Sequence, residues 1–283
     1  MSPAPRGLLF GTAGVPLSSS DASTLTAIDH IKKLGLDCLE IEFVNGVKMG
    51  LETAGKVKER ATALGVRLSV HAPYFINFNS GDRGKRLQSQ ERLLKSARVA
   101  AACGAGNVVF HAGFYGQDPP EKAATVIGGE LRTLVSILRG ERMPVNLRIE
   151  TMGKQSQFGN LDEVLLLCQE VDGLQPCLDF SHIYAREGRV NSYRDFDRVF
   201  SKVAKKLGHR SLKNAHIHVA GVQYGDKGEI KHLDLGEADF RYDDWIQALR
   251  DFGVEGMVVC ESPNLETDAL MLKRLYSAGS KAA

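Results

Sequence analysis

Short apolar, β-branched runs alternate with helical patterns eight times along this chain, and few folds admit that rhythm. The runs lie near residues 8–13, 38–44, 67–71, 107–111, 145–150, 175–179, 215–219 and 256–261. Apolar spacing predicts helices over about 22–34, 51–64, 87–102, 122–138, 161–171, 194–207, 242–251 and 265–278. Gly35, Gly65, Gly208 and Gly253 follow four of these, where a left-handed C-cap is expected. Strand then helix, repeated, predicts parallel βα units, and eight of them close an α/β (β/α)8 TIM barrel. The whole chain, 1–283, fits one such domain, because these barrels take about 250 residues.

The strand ends carry the chemistry. Six runs finish in a residue that metals bind: Val70-His71, Phe110-His111, Ile149-Glu150, Leu178-Asp179 (with His182 just beyond), Ile217-His218 and Cys260-Glu261. The early run finishing near Glu40 and Glu42 is ambiguous. The longest irregular segments follow strands, at 73–84, 112–120, 151–159, 181–193 and 220–239. That asymmetry predicts an active site at the C-terminal face of the strands. Side chains repeat with period two, so the last inward residue of each strand points over the barrel axis. Convergent carboxylates and imidazoles are expensive to bury unpaired, and divalent metals satisfy them. His216 and His218 share a face and compete for one role; His218 is preferred as nearer the strand end. His30 and His209 are read as helix-surface or helix-end residues without a role.

Composition excludes rather than identifies. Hydrophobic residues make up 43% and charged residues 25%, ordinary for a globular protein, and a net charge of +2 does not by itself announce nucleic-acid binding. Five cysteines without CxxC spacing predict buried, reduced thiols and a cytoplasmic location. No apolar stretch approaches the ~18 residues of a membrane span, and the N-terminus lacks a signal-peptide core. A soluble monomer is expected.

The motifs match a known family. They are His71-Ala72-Pro73-Tyr74-Phe75-Ile76-Asn77, His111-Ala112-Gly113, Ile149-Glu150-Thr151, Cys177-Leu178-Asp179-Phe180-Ser181-His182, Ile217-His218-Val219, His232-Leu233-Asp234-Leu235-Gly236 and Cys260-Glu261-Ser262-Pro263. In this order, across nearly the whole chain, they resemble endonuclease IV, the metal-dependent apurinic/apyrimidinic endonuclease. The resemblance implies two or three zinc ions, with manganese or another divalent metal as the alternative. It implies that His71, His111 and Glu150 hold one ion, and that Glu150 bridges to a second held by Asp179, His218 and Glu261. His182 and His232 would hold a third. Tyr74 and Phe75 would wedge into duplex DNA at a missing base. Two departures bear on this. Ile230 stands where the family has an aspartate, with Glu229 one residue further away, and Val219-Ala220-Gly221 replaces a polar continuation.

The activity implied is hydrolysis of the phosphodiester 5′ to an abasic site in duplex DNA, leaving a 3′-hydroxyl. Glu150 and Glu261 are the catalytic candidates for orienting or deprotonating water. Lys48, Arg186 and Lys231 are candidates for phosphate contact. The competing reading is a xylose-isomerase-like sugar isomerase or epimerase with one divalent metal on Glu150, Asp179, His218 and Glu261. A non-catalytic module for damaged nucleic acid is a third class, and would not need the carboxylate pair.

Overall fold

The computed structural model describes residues 7–188 and 190–279. Among the described residues, ten strands are β1 (Leu8–Ala13), β2 (Cys38–Glu42), β3 (Arg67–His71), β4 (Asn107–Phe110), β5 (Asn146–Glu150), β6 (Leu174–Asp179), β7 (Ala215–Val219), β8 (Gly221–Gly225), β9 (Gly228–Leu233) and β10 (Gly256–Cys260). All but β8 and β9 pair in parallel and close a barrel, the seam running from Leu8 opposite Gly256 to Thr12 opposite Cys260. Helices Thr24–Leu34, Leu51–Leu64, Arg83–Cys103, Pro120–Gly140, Leu161–Glu170, Tyr193–Leu207, Tyr242–Asp251 and Glu266–Gly279 surround it. The (β/α)8 barrel expected from the alternation is the fold.

Local chemistry sets the boundaries. Ser23 accepts from the Thr26 amide to open the first helix, and Asn160 and Glu163 form a reciprocal capping box on Leu161–Glu170. Gly35 and Gly65 are the left-handed caps expected of them. Gly208 differs: its φ of 82° comes with ψ of 157°, because the chain turns straight into a 3-10 segment, His209–Asn214. Along the strands, Leu39, Ile41, Val70, Val108, Phe110, Ile149 and Ile217 alternate with the inward set and are buried in the main apolar cluster. Each such burial contributes about 1.5–3 kcal/mol.

The inward set is more polar than a barrel core usually is. Glu40, Ser69, Asn107, Arg148 and His216 are all buried inside. They satisfy one another: Arg148 Nε donates to Asn107 Oδ1 at 2.9 Å, and Ser69 Oγ donates to Glu40 Oε2 at 2.6 Å.

Two segments expected to be irregular contain ordered elements among the described residues. Residues 181–193 begin with a helix, Phe180–Glu187, opened by the Asp179 carboxylate accepting from the His182 amide at 2.8 Å. Residues 220–239 contain the antiparallel hairpin of β8 and β9 around a polar turn. Strand β4 ends at Phe110, so His111 stands one residue beyond it. Both ordered insertions lie after strands, on the face that carries the ligand-type residues. Among the described residues, no helix is long and apolar enough to cross a membrane. The cysteines are free; Cys38, Cys103, Cys177 and Cys260 are buried and Cys168 half-buried.

Candidate metal centre

Every strand-end residue singled out in the sequence arrives at one mouth of the barrel. Their ligand atoms form three groups, within each of which they lie no more than 4.8 Å apart: His71, His111 and Glu150; Glu150, Asp179, His218 and Glu261; and Asp179, His182 and His232. Glu150 belongs to the first two groups and Asp179 to the last two. The buried Glu150 divides its oxygens accordingly. Oε2 lies 3.1 Å from both His71 Nε2 and His111 Nε2, while Oε1 lies 3.2 Å from His182 Nδ1 and 3.6 Å from His218 Nδ1.

Three imidazoles are braced from behind by main-chain carbonyls. His71 Nδ1 is 2.8 Å from Ala72 O, His182 Nδ1 is 2.9 Å from Thr151 O, and His232 Nδ1 is 3.2 Å from Glu261 O. Such an outer contact fixes the ring and leaves the other nitrogen free for a ligand, although His182 Nδ1 also lies 3.2 Å from both Glu150 Oε1 and Asp179 Oδ2. His218 has no carbonyl brace of this kind; its Nδ1 faces Glu261 Oε1 at 3.1 Å and its Nε2 faces Glu40 Oε1 at 2.8 Å. His216, the competing histidine, sits one layer deeper, with Nε2 2.9 Å from Glu40 Oε2 and Nδ1 3.3 Å from Asn107. The geometry therefore sets His218, rather than His216, at the mouth. Cys177 groups with both of them at that deeper level.

The electrostatics are those of a concentrated anionic cluster. Burial opposes charge on His71 and His182, yet the surrounding carboxylates outweigh it and push both up to about 10. Burial likewise opposes ionisation of Glu261, but His218 beside it holds the carboxyl down at about 2. Glu150 is held well below the usual carboxylate range against its burial, chiefly by His111. Burial raises Asp179, and raises Glu42 to about 8.

Whether this donor set suits a metal is decided by its unspent atoms. Among the described residues, Asp179 Oδ2, both His218 nitrogens and His232 Nε2 are buried without an aligned hydrogen bond. A protein core rarely leaves four such atoms unpaired in one place. Their mixture of imidazole and carboxylate is what zinc and similar divalent ions bind.

The departure at Ile230 has a structural answer. In the hairpin Gln223 pairs with Lys231 and Tyr224 with Glu229, so Ile230 is an unpaired bulge residue and points to solvent. The extra residue shifts the pleat by one and turns Glu229 onto the face of His232. Glu229 Oε2 lies 3.4 Å from His182 Nε2 and Oε1 lies 3.9 Å from His232 Nε2. Gly153 makes room for it: a Cβ there would meet the Glu229 Cβ at 2.8 Å.

The surface residues divide. Tyr74 stacks on His111 with ring centroids 5.1 Å apart and remains half exposed, and Phe75 beside it is 61% exposed. Lys48 and Lys231 are exposed. Arg186 is not free to meet a phosphate as expected: its guanidinium donates to the carbonyls of Met152, Lys154 and Gln157 and to the Tyr115 hydroxyl, tying loops together. Lys154, exposed and lining the cleft with His71, Tyr74, Phe114 and Met152, was not anticipated. Nor were Glu40 and Glu42 resolved; their signal was the period-two spacing on β2, which the run's ambiguous end concealed.

The profile of the xylose isomerase-like TIM barrels matches residues 28–277. The chain belongs to that family. An uncharacterized protein of Methanocaldococcus jannaschii is 43% identical over 271 residues, covering 95% of this chain and 97% of its own. A probable endonuclease 4 of Mycoplasma pneumoniae is 25% identical, over 69% of this chain and 68% of its own. Among solved structures, endonuclease IV from Thermus thermophilus superposes with a TM-score of 0.74 at 19% identity, covering 96% of this chain and all of that one. An L-ribulose 3-epimerase superposes at 0.70 with 15% identity, covering 97% and 94%. At these identities the two solved structures speak for the xylose isomerase-like fold alone.

Proposed function

We propose that this barrel is a multinuclear metal-dependent phosphodiesterase that cuts duplex DNA on the 5′ side of abasic sites and leaves a 3′-hydroxyl. The observation that carries the reading is the three contiguous ligand groups sharing Glu150 and Asp179. A single-metal enzyme needs the central group; it has no use for His71, His111, His182, Glu229 and His232 gathered around it. The likeness to a probable endonuclease 4 supports the same reading.

His71, His111 and Glu150 would hold one ion, Glu150, Asp179, His218 and Glu261 a second, and Asp179, His182, His232 and Glu229 a third. Zinc or a similar ion, when bound, supplies Lewis-acid polarisation of phosphate oxygens and lowers the pKa of water. Glu261 stands one residue beyond β10, at the open side of the group, with its side chain 13% exposed, placed to orient and deprotonate the attacking water. Tyr74 and Phe75 present an aromatic face beside the cluster, suited to a duplex that has lost stacking at one position. Lys48, Lys154 and Lys231 would meet the phosphates.

The second reading, a sugar epimerase, is favoured by one observation: Glu150, Asp179, His218 and Glu261 form a complete four-ligand set by themselves. Metal analysis separates the two, with more than one ion per chain for the phosphodiesterase. Incision of a duplex carrying one tetrahydrofuran abasic analogue, lost in Glu261→Gln, is the direct assay. A fully metal-loaded protein that leaves that duplex intact rejects the proposal.

A further inference from the structure

His218 departs from the pattern of its neighbours. The rings of His71, His182 and His232 each set Nδ1 against a main-chain carbonyl, whereas His218 has no such carbonyl and sets Nδ1 toward Glu261 and Glu150. Behind it, at Nε2, stands a carboxylate instead of a carbonyl: Glu40 Oε1, 2.8 Å away and fully buried, in ion-pair contact but not aligned as a hydrogen bond, so that both atoms are left without another partner among the described residues. That carboxylate is itself held in place. Its other oxygen accepts from Ser69 Oγ at 2.6 Å and lies 2.9 Å from His216 Nε2. His216 in turn rests on Asn107, which Arg148 anchors from the floor of the barrel. A buried carboxylate held through one oxygen by two hydrogen-bonding partners, with the other oxygen aimed at His218, needs a reason to stand in a barrel core, since Val or Leu would pack there without desolvating a charge.

We propose that Glu40 is the positioning residue for His218, keeping the proton on Nε2 and presenting Nδ1 as the metal-binding atom of the central group. An anionic partner behind an imidazole raises its donor strength as well as fixing its orientation. The reserve of polar residues below the mouth, Ser69, His216, Asn107 and Arg148, then exists to hold Glu40. This rests on the metal-binding part of the function proposed above, not on the nuclease activity. Cys177 also borders His218 and is the competing partner.

The test reads coordination directly. Zinc-loaded protein labelled with 15N in histidine, with the His218 signals assigned through His218→Gln, is expected to show Nδ1 ligated and Nε2 protonated. Glu40→Gln, which keeps the shape and removes the charge, is expected to weaken the ion held at His218 by about 10–100-fold in chelator competition. Cys177→Ala is expected to leave both readouts unchanged. If Glu40→Gln does not fold, Ser69→Ala removes one brace from Glu40 and should weaken the same ion by a smaller factor. Ligation of His218 through Nε2, or unchanged zinc affinity in a folded Glu40→Gln, overturns the assignment. So does a change produced by Cys177→Ala instead. Wild-type protein that takes up no zinc at all defeats the metal centre itself, a distinct outcome.

Discussion

Glu150 meets His71 through one carboxylate oxygen, Oε2 at 3.1 Å, and keeps the other, Oε1, for His182 on the far side of the cluster. A carboxylate placed between imidazoles on opposite sides is the joint of the whole centre. Its position follows from the register, which sets it at the last residue of β5 beside Cys177 of β6.

Removing that joint should affect two positions at once. Glu150→Gln is expected to lower metal content by up to two ions per chain, while Asp179, His182 and His232 retain theirs. Metal analysis after dialysis reads this. Loss of one ion only would show that Glu150 belongs to a single group.

The bulge at Ile230 makes a separate prediction for Glu229. Glu229→Ala should weaken the ion held by His182 and His232 by more than the ~10–100-fold that follows loss of an outer-shell partner, since Glu229 would be a ligand itself, with the central group unchanged. Deleting Ile230 should do the same, because it flips Glu229 to the other face of β9. Stepwise chelator titration distinguishes the weak ion from the tight ones.

Stability of the metal-free protein should fall as pH rises. His71 and His182 are pushed up to about 10 from an ordinary value of 6.5. Groups raised on folding contribute stability that is complete below about 6.5 and is lost as pH climbs through about 10. Metal binding has the opposite sign, since a cation must displace these protons and binds better at higher pH. Thermal melts from pH 6 to pH 10 should therefore decline for the metal-free protein and hold or rise with zinc present. A metal-free melt that rises across that window contradicts the assignment.

Arg186 and Phe75 should behave as opposites. Arg186→Ala removes a guanidinium shared by three carbonyls and a hydroxyl, and is expected to destabilise the fold by about 1–3 kcal/mol. Phe75→Ala removes an exposed ring and should leave the melting temperature within a degree or two while weakening binding to abasic duplex. Chemical denaturation and a gel-shift series measure the two.

Much of this protein can be read along the chain. Eightfold strand–helix alternation depends on local side-chain periodicity, so the barrel and most of its boundaries are visible in one dimension. The strand-end residues His71, Glu150, Asp179, His218 and Glu261 are visible for the same reason: a barrel must direct each strand's last inward residue to one mouth. Other features depend on neighbours distant in sequence. Glu40 gains a role from His218 and His216, over 170 residues away, and Arg186 loses its expected one to loops that its own helix happens to face. Whether Glu229 or residue 230 faces His182 turns on a single unpaired residue in a hairpin, a register that no local pattern announces. Periodicity determines where side chains point along an element; only tertiary packing decides which of them meet.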